Sequence, residues 1–265
     1  MPPRQSSFSD SLRIQHRVIN AVLRREFLAI TGKRSVGFLI LVLEPLIFVV
    51  FMVGLFYVRG HTFGDIPVVA FAISGYTVLW GVRFHIQRVL GSLQANIPLL
   101  YHRHVKVADI ILARGVVQSL STTISFLFFI PLVFFDVIDF PNDPALMIFS
   151  WIFVQWYGIS FAFIAIAISG LFKFGQRIAI LLAATHIFIT GAFYMVAWIP
   201  AQYQGYVLLS PMVHATEMMR DGLFGNIVET HYSVQYMIAA NIILTYIGLA
   251  LCRKLTRRGV LDDSD

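Results

Sequence analysis

Six long apolar runs, separated by short polar or broken stretches, dominate the hydropathy pattern of this chain. They fall at Gly37–Val58, Ile66–Leu90, Ala108–Phe135, Pro144–Leu171, Gln176–Trp198 and Tyr232–Cys252. Each is close to the ~20 residues a helix needs to cross a hydrocarbon layer of ~30 Å. None alternates with the period of a strand, and lipid forces a spanning backbone to satisfy its own hydrogen bonds. The pattern predicts an all-α integral membrane protein with six transmembrane helices. It forms one domain over 1–265: a cytoplasmic N-terminal segment 1–36, a membrane domain 37–252 and a cytoplasmic tail 253–265.

Two stretches depart from that simple count. Over 11–31, Leu12, Ile19, Val22, Leu23 and Phe27 share one helical face while Arg13, Arg17 and Arg24 share another, and Ser9 and Asp10 can cap the start. This predicts an amphipathic helix on the cytoplasmic surface. The stretch 199–231 is apolar in parts but interrupted by Pro200, Gly205, Pro211 and Gly222. It is too broken to span. Short half-helices dipping back into the outer leaflet and a folded outer cap both fit it, the former being tolerated where protein covers the backbone.

Composition agrees with a bilayer. Hydrophobic residues make up 58% and charged residues 13%, against about 25% charged in a soluble domain. The net charge of +6 is distributed by topology and not gathered into a nucleic-acid patch. With the N-terminus inside, fifteen Lys and Arg lie in cytoplasmic segments and two, Arg59 and Arg220, in outer connections; Arg83, Arg88 and Arg114 lie within spans. This asymmetry places both termini in the cytoplasm. The first 35 residues are polar and basic, too long and interrupted for a cleavable leader, so the first apolar run is expected to be retained as a membrane anchor. The single cysteine, Cys252, excludes an internal disulfide and reads as a small hydrophobe.

Charged and polar residues inside spans are costly and mark function or pairing. Glu44 and Pro45 sit early in the first span, where proline kinks the helix and the carboxylate suits an ion pair at a gate. On the second span, Tyr76, Trp80, Arg83 and Gln87 are spaced by 4, 3 and 4 and share one face. Such a stripe can stack on sugar rings and hold an anion, or it can serve as an interfacial belt. On the third span, Arg114 and Gln118 begin a second stripe that continues through Ser121, Thr122 and Ser125. It faces either a path or a neighbouring helix. Trp151, Trp156, Tyr157, Phe193, Tyr194, Trp198, Tyr203 and Tyr206 form a further aromatic set, suited to interface anchoring or to weak stacking on a moving polymer.

Direct catalysis finds no support. The stretch Ile30-Thr31-Gly32-Lys33-Arg34 fails the phosphate-loop pattern at Phe27 and at Arg34. No metalloprotease or nucleophile-elbow motif occurs, and His102 and His104 have no ligand partners nearby in sequence, so no metal site is expected. The loop between the second and third spans is the most informative stretch. Asn96, Pro98, Leu99, Leu100, Tyr101, Arg103 and Lys106 make it short, basic and amphipathic. Its apolar residues fit either a groove on a partner or the lipid headgroups.

Three patches of this chain resemble the permease subunit of ABC-2-type polysaccharide exporters, of the kind that exports group 2-type capsules in Gram-negative bacteria. They are Gly37 to Glu44-Pro45; Asn96 to Arg114, including Tyr101, Arg103, Lys106 and Asp109; and Pro211, His214, Glu217 and Arg220 before the last span. One departure is Val107, where the family often carries proline. The resemblance implies a non-enzymatic transport subunit of the cell inner membrane, paired with a second copy of itself. A separate ATPase would hold ATP and Mg and dock on the 96–106 loop and the 11–31 helix. A periplasmic co-polymerase-like adaptor and an outer-membrane export channel would complete the route. The implied substrate is a lipid-linked acidic capsular polysaccharide, with Tyr76, Trp80, Arg83, Gln87, Arg114 and Gln118 as candidates for its path. The residues Glu44, Pro45, Pro211, His214, Glu217 and Arg220 would shape or gate it. Exporters of O-antigen, teichoic-acid or lipo-oligosaccharide glycans, and an ion-coupled carrier using Glu44, remain alternatives at this point.

Overall fold

The computed structural model describes residues 8–31, 39–40, 43, 46–47, 50–51, 54, 66–90 and 105–257. Glu44, Pro45 and the loop residues Asn96, Pro98, Leu99, Leu100, Tyr101 and Arg103 lie outside the described residues. The described positions of the first predicted span are helical.

Helix α1 (Phe8–Thr31) is followed by α2 (Val68–Val89), α3 (Val107–Phe126), the short α4 (Phe129–Phe134), α5 (Pro144–Leu171) and α6 (Gly175–Ile189). Then come α7 (Ala201–Val207), α8 (Pro211–Phe224) and α9 (Val234–Arg257). Among the described residues, four stretches are long and apolar enough to cross a membrane: Val68–Val89, Val107–Phe134, Pro144–Leu171 and Val234–Arg257.

Helix α5 is the hub, packing against α2, α3, α6, α8 and α9. Its start is well specified. Asp143 caps it by accepting from the Leu146 N–H at 3.0 Å, and Pro144 occupies the first turn, where its missing N–H costs nothing. Close packing needs small residues. At Gly248 of α9, a side chain would come within 2.7 Å of the Phe163 side chain. At Gly75 of α2, an added Cβ would strike the Ala192 backbone carbonyl.

Buried polar groups join the helices in pairs. His186 donates from Nδ1 to the Leu182 carbonyl at 2.7 Å, so its Nε2 accepts from the Tyr157 hydroxyl at 3.1 Å. His85 likewise donates from Nδ1 to the Gly81 carbonyl and accepts at Nε2 from Ser119. The carbonyl partner places the proton on Nδ1 in each ring, and in the neutral form Nε2 is then the acceptor. Ser160 and Trp156 of α5 meet Thr245 of α9 at 2.7 and 3.0 Å. The outer faces are apolar and open: Leu181 and Phe188 on α6 and Ile243 and Tyr246 on α9 are exposed, as lipid contact requires.

One expectation is corrected. The fifth apolar run reads as a helix to Trp198, but α6 stops at Ile189 after 15 residues. That is a rise of about 22 Å, short of a full crossing. The reason is tertiary. Gly191 turns the chain at φ 73°, the Thr216 hydroxyl takes the Thr190 carbonyl, and Arg220 takes the carbonyls of Ala192 and Tyr194. Partners outside the helix capture oxygens that another turn would have used.

Candidate functional site

Two polar assemblies stand out, one at each end of the bundle. The first is organised by α8. Pro211, His214, Glu217 and Arg220 recur every third residue, so they wind slowly around this short helix. Proline fits its first turn, and Gly225 ends it at φ 56°. His214, Glu217 and Arg220 are all buried.

Arg220 is fully enclosed. Its two terminal nitrogens donate to the Tyr194 and Ala192 carbonyls, and its guanidinium lies over the Phe71 ring at 4.2 Å. Glu217 approaches it at 3.8 Å and accepts from the Val196 and His231 N–H groups. Only a planar cation with several donors satisfies two carbonyls and an aromatic face at once. His214 donates from Nε2 to the Leu208 carbonyl at 2.8 Å and accepts at Nδ1 from the Ser233 N–H at 3.0 Å. Burial holds its pKa below the ordinary histidine value, against the opposing pull of the Leu208 carbonyl. The ring is neutral with its tautomer set by these partners. Tyr232 donates to Asp221 and Tyr236 to the Leu209 carbonyl. One helix thus ties the chain on both sides of itself, 190–210 and 225–236, into a single unit.

Beside this unit lies a cleft of about 490 Å³, whose walls include Tyr157, Tyr194 and Tyr206. Three members of the aromatic set are thereby brought to one surface. Trp151 is spent inside the fold, stacked on Phe126, while Trp198 stacks on Phe71 and stays exposed.

The second assembly lies where α1 crosses the start of α3. Val22 packs with Ile110 and Ala113. Glu26, 3% exposed, pairs with the Arg114 Nε at 2.8 Å, and Arg114 also donates to the Arg88 carbonyl. The Gln15 amide reaches Asp109, whose other oxygen accepts the Lys106 N–H at 2.9 Å. Arg114 therefore joins α1, α2 and α3. Glu26 escaped the sequence reading because it sits beside Arg24 and Arg25, in a face that looks solvated. A lone acid in a basic amphipathic helix was the available signal.

The remaining stripe residues divide. Tyr76 is buried and meets Phe193 edge-on at 5.3 Å. The Arg83 guanidinium lies over Trp80 at 5.2 Å. Gln87 is exposed. Gln118 is buried, and neither its amide nitrogen nor its oxygen has a hydrogen-bond partner; the Ser121 hydroxyl is in the same state. Thr122 instead bonds Gln155 of α5 at 3.1 Å. Among the described residues no group of His, Cys, Asp and Glu is placed to hold a metal.

The chain matches the model of the ABC-2 type transporter family over residues 17–224. It is 34% identical to the capsule polysaccharide export inner-membrane protein BexB of Haemophilus influenzae, over 96% of both chains. Identity is 35%, with the same coverage, to the capsule polysaccharide export inner-membrane protein CtrC of Neisseria meningitidis. It is 25% to the polysialic acid transport protein KpsM of Escherichia coli, over 91% of this chain and 94% of that one. Together with the four long apolar stretches, these likenesses make it a multi-pass membrane protein.

Proposed function

The chain belongs to the ABC-2 type transporter family, and from that membership we propose that it is the membrane-spanning subunit of an ATP-driven exporter. The cargo is a lipid-linked acidic capsular polysaccharide crossing the inner membrane. The observation that carries this reading is full-length similarity to capsule polysaccharide export inner-membrane proteins. The same similarity favours capsule over O-antigen or teichoic-acid cargo.

In this reading the chain is a single domain with cytoplasmic termini that passes the membrane six times, the fifth pass being completed beyond the short helix α6 by the irregular stretch toward Trp198, and it works as a homodimer. ATP and Mg are used by a separate ATPase subunit that docks on residues 96–106, with Asn96, Pro98, Leu99, Leu100, Tyr101 and Arg103 at the contact and Lys106 at its edge, where it lines a cleft beside α9. Support comes from the α1–α3 junction: Glu26, Arg114 and the Arg88 carbonyl lock α1 to the two spans that flank that loop. A push on the loop then moves α1, α2 and α3 together. Because its guanidinium is already engaged, Arg114 acts here as a clamp rather than as a contact for the glycolipid. Tyr76, Trp80, Arg83, Gln87 and Gln118 remain the proposed path. The short helices α7 and α8 form the re-entrant outer gate, with Pro211, His214, Glu217 and Arg220 as its frame and Glu44 and Pro45 shaping the first span. The cleft beside Tyr157, Tyr194 and Tyr206 offers the weak stacking a sliding glycan needs. A periplasmic adaptor and an outer-membrane channel receive the product.

Deleting the gene is expected to leave polysaccharide inside the cell, and the chain restores surface capsule only together with its ATPase. Export by the reconstituted chain without any ATPase subunit would overturn the proposal in favour of an ion-coupled carrier.

A further inference from the structure

The C-terminal turns of α9 carry a feature that export does not explain. Tyr246, Ala250, Arg253 and Arg257 succeed one another at spacings of three or four residues, and Leu249 lies three after Tyr246 and four before Arg253, so all five share one helix face. They line a cleft of about 540 Å³ with Lys254. A second cleft of about 440 Å³ shares Leu249, Arg253 and Arg257 with the first and adds Lys106 at the start of α3. Four cations therefore surround one pair of clefts. Arg253, Lys254, Arg257 and Lys106 are all exposed. Among the described residues no carboxylate lies within ion-pair distance of any of the four. Asp109, three residues after Lys106, is turned to the Lys106 N–H and to Gln15.

The order along the helix is chemically specific. The cations occupy the terminal turns. Leu249 and Ala250 lie one turn deeper, and Tyr246 lies two turns deeper, about 10 Å from Arg253 along the axis. Tyr246 and Leu249 are exposed. A soluble polyanion would use the charges and leave this apolar wall wet. A lipid uses both, because its phosphate meets the cations while its chains run down the wall.

We propose that this face binds an anionic phospholipid of the cytoplasmic leaflet, of the phosphatidylglycerol type, through Arg253, Lys254, Arg257 and Lys106. Helix α9 packs chiefly on α5, so the bound lipid would brace the outer side of the bundle rather than enter the path. Each cation near an anionic surface adds about 1 kcal/mol, so four make the site selective over a zwitterionic headgroup.

The test is native mass spectrometry of the full chain in detergent, titrated with dioleoyl phosphatidylglycerol or dioleoyl phosphatidylcholine. Wild type is expected to retain the anionic lipid at least tenfold better. Arg253→Gln/Arg257→Gln should lower that retention fivefold or more while leaving the lipid-free melting temperature unchanged. Arg253→Lys/Arg257→Lys, which preserves charge, should keep most of it. Equal retention of the two lipids by wild type would overturn the proposal whatever the variants do. So would a double glutamine variant that keeps the anionic lipid. Soluble polysialic acid held as tightly as the lipid, and lost in the same variant, would replace the lipid site with a glycan site.

Discussion

Helices α8 and α3 both bury polar side chains, and they meet the cost differently. On α8, His214, Glu217 and Arg220 each find backbone partners within the same chain: the Leu208, Tyr194 and Ala192 carbonyls and the Ser233, Val196 and His231 N–H groups. On α3, Gln118 and Ser121 are just as enclosed and find none. A buried amide without a hydrogen bond costs about 1–3 kcal/mol. The first arrangement finds its partners within one copy, with only the Arg220 Nε of these three side chains left over, and holds a shape. The second asks for something beyond the single chain, whether water, a second copy or cargo. Polar residues in a membrane domain thus carry two different messages, and local hydropathy is the same for both.

Three perturbations bear on that contrast. Arg220→Ala removes the donors of two carbonyls and the partner of Glu217. Breaking a buried pair from one side costs about 3–5 kcal/mol, so the melting temperature and the yield of folded chain should fall sharply. Arg220→Lys should recover little, since an ammonium cannot span both carbonyls and the Phe71 ring. An unchanged melting temperature in either variant would break the claim that α8 is a finished unit.

The next effect is a pH dependence. Burial depresses the His214 pKa, so the unfolded chain binds the proton more readily than the folded one. Stability is then complete above the ordinary value of 6.5 and is lost as pH falls through the depressed folded value. Protonation would set a new N–H against the Ser233 N–H, beside the Tyr236 ring at 4.9 Å. Thermal melts in detergent between pH 8 and pH 5 should show this decline, and His214→Asn should flatten it. A wild-type profile without slope in that window would remove His214 from the frame.

The smallest effect belongs to α3. Gln118→Leu replaces an unpartnered amide with an apolar group of similar size, so the lone chain should change by less than about 1 kcal/mol or become slightly more stable. Surface capsule should nevertheless fall. Unaltered export in that variant would show that Gln118 faces only its neighbours.

How far each part was legible follows from the range of the interaction involved. The span Pro144–Leu171 was read to its end residues, because an N-cap aspartate, a first-turn proline and a long apolar run are local marks. The amphipathic helix was read over 11–31 and found over Phe8–Thr31, since its periodicity is local too. The recurrence of Pro211, His214, Glu217 and Arg220 was visible as a pattern, but the carbonyls it serves lie 6 to 28 residues away. The early stop of α6 was not visible. Gln176–Trp198 is apolar throughout that stop, and the turn at Gly191 is held by side chains of α8. Arg114 looked like a contact for an anion because Glu26, its partner, is remote in sequence.

By itself the sequence determined that the chain lives in a membrane and roughly where its long apolar helices lie. Those properties sum the transfer free energies of single residues over a short window. Only the tertiary structure decided where α6 ends, which charges are paired and which buried amides stand alone. A polar group's cost depends on a partner that chain order does not reveal, and packing alone brings that partner within 3 Å.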